Sequence, residues 1–177
     1  SLLDDERNEL YRNFIEYVDF FRPKVILMEN VVGLISHSKG ELLNEILSGF
    51  RSIGYEVDWR VLNSANYGVP QKRERLFVLG RQRNLKSTEQ LLFPEPTHWF
   101  EGRVIGTKHK SNYVVNKSKG LPAVSFGDAT SDLPSIKSGS SNDRYQSPPL
   151  NPYQTLMRKT SNNKLSLHNA ANHSKKM

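Results

Sequence analysis

The sequence of 177 residues contains no cysteine. That removes disulfides, thiolate metal sites and thiol nucleophiles from anything the chain does by itself. No apolar run approaches the roughly 18 residues of a membrane-spanning helix. The N-terminus also lacks the basic stretch and short apolar core of a signal peptide. The expectation is a soluble intracellular protein, in the cytoplasm or nucleoid of a prokaryote or the nucleus of a eukaryote. Hydrophobic residues make up 36% of the chain, a low share that predicts one domain with a real core and a loosely packed remainder.

What is abundant is positive charge, with a formal net charge of +7. Its distribution is uneven: residues 1–99 hold 13 Lys and Arg against 14 Asp and Glu, and residues 100–177 hold 12 against 4. A polyanion-binding surface, if the charge serves one, is therefore C-terminal.

Asp4, Asp5 and Glu6 precede a helical repeat of Leu10, Phe14, Tyr17, Val18 and Phe21, and Pro23 ends it. Val25-Ile26-Leu27-Met28 has the continuous apolar pattern of a strand buried on both faces in a parallel sheet, and it runs into Glu29-Asn30. Ser38 and Glu41 have capping-box spacing ahead of Leu42, Leu43, Ile46, Leu47 and Phe50, with Gly54 at the expected C-terminus. From Tyr55 the period changes to two, through Val57, Trp59 and Val61. A further strand at Leu76-Phe77-Val78-Leu79 follows a connection too short for a crossover helix, so these two strands should pair antiparallel. After Arg83 the composition turns to Pro, Gly, Ser, Lys and Asn, which places a boundary at residues 84–97.

Ligands of open α/β sheets sit beyond the carboxyl ends of the strands, where Glu29 falls. A lone Glu there can equally be a solvated side chain or a cap for the next helix. Gln71, Arg73 and Arg75 alternate with Lys72 and Glu74, so an extended chain puts the first three on one face. Such a set of donors suits a phosphate or a polar base edge, and a charged strand entrance that blunts a sheet edge is the plain alternative.

Three motifs occur in order: Asp5-x-Arg7-Asn8-x-Leu10; Arg22-Pro23-Lys24 leading to Met28-Glu29-Asn30-Val31; and Val61-Leu62-Asn63 with Tyr67-Gly68-Val69-Pro70-Gln71-Lys72-Arg73-Glu74-Arg75. Together they resemble the cytosine-5 DNA methyltransferases across residues 4–83. Phe93-Pro94-Glu95-Pro96-Thr97-His98 and the stretch from Val124 to Pro134 are similar to the family's approach to its target-recognition domain. The resemblance implies an α/β fold: the later strands of a Rossmann-like sheet, incomplete, in residues 1–83, a hinge at 84–97, and the start of a smaller DNA-facing region in 98–177.

In this family a cytosine is flipped from the duplex, a cysteine attacks C6, and C5 takes a methyl group from S-adenosylmethionine. Extrusion costs a few kcal/mol, offset by contacts to the base's Watson–Crick edge. The resemblance implies that Glu29 contacts N3 and the exocyclic amine. It implies that Arg73 and Arg75 serve the catalytic site, and that Gln71 helps hold the flipped nucleotide and its phosphates. Asn30 would fix the turn after the strand, a role compatible with helix capping. No cofactor-binding or metal-binding residue is assigned. The family's Pro-Cys loop and Gly-containing cofactor loop lie upstream of the motifs matched here. The chain is thus expected to be one piece of a longer or split enzyme, inactive alone, whose partners are double-stranded DNA and a segment or subunit carrying the cysteine. Two other readings stay open at this stage: a non-catalytic DNA-binding or regulatory relative, and a transfer-RNA cytosine-5 methyltransferase relative.

Overall fold

The computed structural model describes residues 10–36, 40–85, 91, 93–100, 117 and 120–172. The acidic residues expected to start the first helix, and Ser38 of the expected capping box, lie outside the described residues.

Helix α1 (Leu10–Phe21) ends where Arg22 turns into the left-handed region, φ 49°, just ahead of Pro23. Its buried side overlaps the predicted stripe in part, at Phe14 and Val18. Tyr11 and Val18 are buried and Phe14 and Ile15 pack on the core, whereas Leu10, Tyr17 and Phe21 are exposed. Both sets have helical spacing, because apolar residues occupy more than one side of α1. The side that wins is the one facing α3 (Glu41–Ser52), where Phe14 meets Phe50 edge-on at 5.9 Å. Gly40 stands at the N-cap of α3 with no side-chain cap bond. At the other end Gly54 takes φ 92° and its N–H bonds to the carbonyl of Arg51, the exit that the sequence predicts.

Strand β1 (Val25–Val31) corrects the sequence reading. It pairs antiparallel with β3 (Glu74–Gln82), which lies between β1 and β2 (Tyr55–Asn63) in the order β1-β3-β2. Since β1 and β2 both run against β3, they are parallel to each other without touching. The link through α2 (Gly33–Ser36) and α3 carries the chain over the sheet, and β3 returns into the gap. Burial in β1 alternates instead of being continuous: Ile26 is buried and Val25, Leu27 and Val31 are more than half exposed. One face of the sheet packs on α1 and α3; the other has no helix over it among the described residues. The antiparallel β2–β3 pair forms as predicted, in the register Trp59 to Val78 and Val61 to Leu76.

Ile46, Phe50, Tyr55, Val61, Leu76 and Val78 are almost fully buried between helices and sheet. Each large apolar side chain taken from water there contributes about 1.5–3 kcal/mol. Tyr55 satisfies its hydroxyl by donating to the carbonyl of Pro23 at 2.5 Å, tying β2 to the start of β1. Toward the C-terminal end of β3, a Cβ on Gly80 would lie 2.7 Å from Ile26 and 2.8 Å from Val57, so only glycine fits between the flanking strands.

Residues 93–100 run back against this unit. Phe93 is buried beneath the Arg60 guanidinium, Thr97 N–H donates to the Asn66 carbonyl, and β4 (His98–Trp99) pairs parallel with β5 (Leu121–Pro122). Beyond β5 the fold rests on polar groups. Ser125 and Asp128 form a reciprocal capping box on α4 (Phe126–Thr130), and Asn151 caps α5 (Pro152–Arg158). Buried Gln154 accepts from Leu150 N–H and donates to the Asp128 carbonyl and Ser131 hydroxyl. Arg158 pairs with buried Asp132, donates to the Ser147 carbonyl and lies over the Tyr145 ring. In residues 120–172 only Asp132, Pro134 and Gln154 are buried, so this low-apolar part is loosely packed, as expected, and is held by polar contacts.

Candidate base-holding site

Residues directly opposite each other across a strand pair project to the same face. Glu29 stands opposite Phe77, which stands opposite Arg60; Val31 stands opposite Arg75, which stands opposite Leu62. All of these occupy the face away from the helices. Glu29 therefore reaches Arg75 across the β1–β3 pair: Arg75 Nε donates to Glu29 Oε1 at 2.8 Å, while its Nη1 donates to the Glu74 carbonyl at 2.7 Å. The pair is asymmetric in exposure, with the Arg75 side chain 22% exposed and that of Glu29 50%. The guanidinium is thus held by two acceptors, and the carboxylate keeps one side open to a ligand.

Glu29, Arg73 and Arg75 line one hollow of about 320 Å³, closed on its other side by Tyr67, Phe77 and Pro94. That is the lower end of the range for small-ligand pockets, roughly 300–1,000 Å³. The structure brings these three sequence-predicted residues together. Gln71 is exposed in the preceding loop, its N–H bonded to the Val69 carbonyl at 2.7 Å, and it does not line the hollow. Asn30 points to the helix side of β1, where its Oδ1 accepts the N–H of Val31 at 2.8 Å.

Tyr67, Phe77 and Pro94 are the wall that sequence reasoning did not assign. Tyr67 is positioned by the 3₁₀ turn Ser64–Tyr67: Asn63 caps it by accepting the Ala65 N–H, and Gly68, φ 81°, ends it. A Cβ on Gly68 would lie 2.9 Å from the His98 ring, so this turn and the returning segment interlock only with glycine there. Tyr67 donates to the Pro94 carbonyl at 2.9 Å. Burial, and after it the charge of Glu95, push its hydroxyl pKa above the usual tyrosine value. It stays a neutral donor and ring wall. An Asn-x-x-x-Tyr-Gly pattern carries a cap and an exit signal, and these were the available clues to an ordered turn.

A second, wider hollow of about 660 Å³ opens on the other side of Glu29 and Asn30, lined mainly by Leu10, Phe14, Met28 and Leu34. S-adenosylmethionine would need a partner for its amino-acid carboxylate and acceptors for its ribose hydroxyls. This lining offers one carboxylate, one amide and one phenol, and no cation, so the described residues do not by themselves fit that cofactor. No helix among them is long and apolar enough to cross a membrane.

The family model for C-5 cytosine-specific DNA methylases matches residues 2–175. The type II methyltransferase M.AgeI of Thalassovita gelatinovora is 35% identical over 167 residues, covering 88% of this chain and 36% of that protein. The mouse DNA (cytosine-5)-methyltransferase 1 is 33% identical over 161 residues, covering 86% of this chain and 10% of the relative. The fold is similar to a crystal structure described as a DNA modification methyltransferase encoded within an E. coli prophage, with a TM-score of 0.61 and 21% identity, covering 97% of this chain and 49% of that one. The chain spans about a third of the length of bacterial relatives such as M.AgeI and M.DdeI. With the family's model running along nearly all of its length, the chain belongs to the C-5 cytosine-specific DNA methylases.

Proposed function

We propose that this chain supplies the base-holding half of a cytosine-5 DNA methyltransferase site, the whole enzyme moving a methyl group from S-adenosylmethionine to C5 of a flipped cytosine in DNA. The observation that carries the reading is the Glu29–Arg75 pair at 2.8 Å on the rim of a hollow that also holds Arg73. A flipped cytosine presents N3 and a 4-amino group, an acceptor beside a donor. The open side of Glu29 can bind that edge, a carboxyl oxygen accepting from the 4-amino group beside N3. Stabilising charge on the ring in this way gives roughly a hundred- to ten-thousandfold in rate. Arg75 fixes the carboxyl's orientation through a planar fork that cannot lose its charge. Arg73, beside it, is free to meet a flanking phosphate, and Gln71 joins it from the loop once DNA is bound. Asn30 braces the backbone after Glu29.

The chain has no cysteine, so the nucleophile and the main cofactor contacts come from another segment or subunit, and this piece alone transfers no methyl group. Residues 1–83 form the later part of the catalytic unit, 84–97 the connection, and 98–177 the start of the DNA-facing part. The excess of basic residues after residue 100 supports that orientation.

The test is Glu29→Gln in the full-length protein that contains this segment. Methyl incorporation into duplex DNA should fall by well over tenfold in kcat with DNA affinity largely kept. Turnover close to that of the unmodified enzyme would remove Glu29 from the site.

A further inference from the structure

Residues 139–144 and 164–171 run antiparallel as a narrow ribbon, joined by hydrogen bonds of 2.8–3.2 Å between Gly139 and Ala171, Ser140 and Ala170, Asn142 and His168, and Asp143 and Leu165. Ser141 bridges Asn169, and Arg144 bridges Lys164. Between those two bridges one strand carries Asn142 and Asp143 while the other carries Leu165, Ser166, Leu167 and His168. The longer strand must therefore bulge. At the bulge Leu167 adopts φ 58° and is 94% exposed. The ribbon is tied down behind it, since the His168 ring meets the Pro134 carbonyl at 2.8 Å and Ser138 donates to the Ala171 carbonyl at 3.1 Å.

Two features of this ribbon are unfavourable in the free protein. Arg144 and Lys164 are like charges placed directly opposite each other, which destabilises a strand pair. Both are exposed, and neither has an ion pair or side-chain hydrogen bond among the described residues. Asp143 does not separate them, because neighbouring residues of a strand face opposite sides. Leu167 adds an apolar side chain in water on a left-handed backbone that leucine rarely adopts.

We propose that this ribbon grips duplex DNA: Arg144 and Lys164 together take one backbone phosphate, and Leu167 lies as an apolar tip in the adjoining groove. The inference rests on the DNA reading given above and adds a contact outside the base-holding site. A phosphate between the two cations turns their repulsion into two charge-assisted hydrogen bonds. A single apolar tip flanked by Ser166, His168 and Asn169 is too small a patch for a protein interface, yet it suits a wedge against base steps.

The experiment measures binding of the full-length protein to a mixed-sequence fluorescent duplex over a range of salt concentrations. Arg144→Gln with Lys164→Gln should flatten the plot of log affinity against log salt by about one unit. Leu167→Ala should weaken binding with the slope kept. Relief of the like-charge pair should leave the melting temperature of the free Arg144→Gln/Lys164→Gln protein equal to the parent's or higher. An unchanged slope in the double variant, or a melting temperature that falls together with affinity, would overturn the grip. If methylation still depends on Glu29 while the slope is unchanged, only the ribbon falls; if the unmodified protein binds no DNA, both readings fall.

Discussion

Gly80 shows how one residue can set the sheet. It stands opposite both Ile26 and Val57, and a methyl group there would sit inside their van der Waals surfaces. Both neighbours are buried and branched, so neither can swing aside cheaply. Gly80→Ala should therefore destabilise the fold by about 1–3 kcal/mol, read as a lower urea midpoint with an unchanged slope. An unchanged midpoint would mean that the strands part at little cost. At the same scale, the site was partly legible. Glu29, Arg73 and Arg75 meet at one hollow because strand alternation and family spacing are written directly in the residues. Tyr67 and Pro94 were not foreseen as its wall, since their meeting depends on a return of the chain from residue 94 that no local pattern encodes.

At the scale of elements, legibility follows how local the deciding forces are. The exit of α3 at Gly54 and the β2–β3 pairing were legible, because turn chemistry and a short connection decide them. The face of α1 was legible only at Phe14 and Val18, and the partner of β1 was not, because both depend on what packs beside them. An apolar run in β1 signals a strand but not which of its faces is covered or which strand pairs with it. Helix α4 combines both kinds of force, a local capping box at its start and hydrogen bonds from Asn151 and Gln154 to the Asp128 carbonyl. Asp128 accepts hydrogen bonds from the Ser125 hydroxyl and N–H, and these hold its carboxyl pKa below the usual aspartate value. A depressed folded-state pKa adds stability that is fully present above the unfolded value and fades as pH falls through the folded one. Acid should thus loosen α4, and Asp128→Asn should remove that part of the pH dependence. Amide exchange at Asp128 and Ala129 that ignores both acid and substitution would show that the box contributes nothing.

At the scale of the molecule, one face of the sheet packs on helices and the other is covered only in part, by Phe93 and Pro94 toward β2, and the difference bears on how the proposed site is completed. Among the described residues β1 has a strand on one side only, and Val25, Leu27 and Val31 are more than half exposed on the same face as Glu29. An edge strand with apolar side chains is a template for further pairing. If the segment carrying the cysteine builds the rest of the site, it must approach Glu29, and β1 is the element it meets first. Hydrogen exchange compares the two situations: β1 amides not bonded to β3 should exchange readily in this chain alone and become protected when the cysteine-bearing segment is added, together with methyl transfer to DNA. Protection has to appear in β1 ahead of β2, whose outer edge lies on the far side of β3. Methyl transfer restored with β1 exchange unchanged would separate catalysis from strand pairing, and the site would then be completed from across the partly covered face.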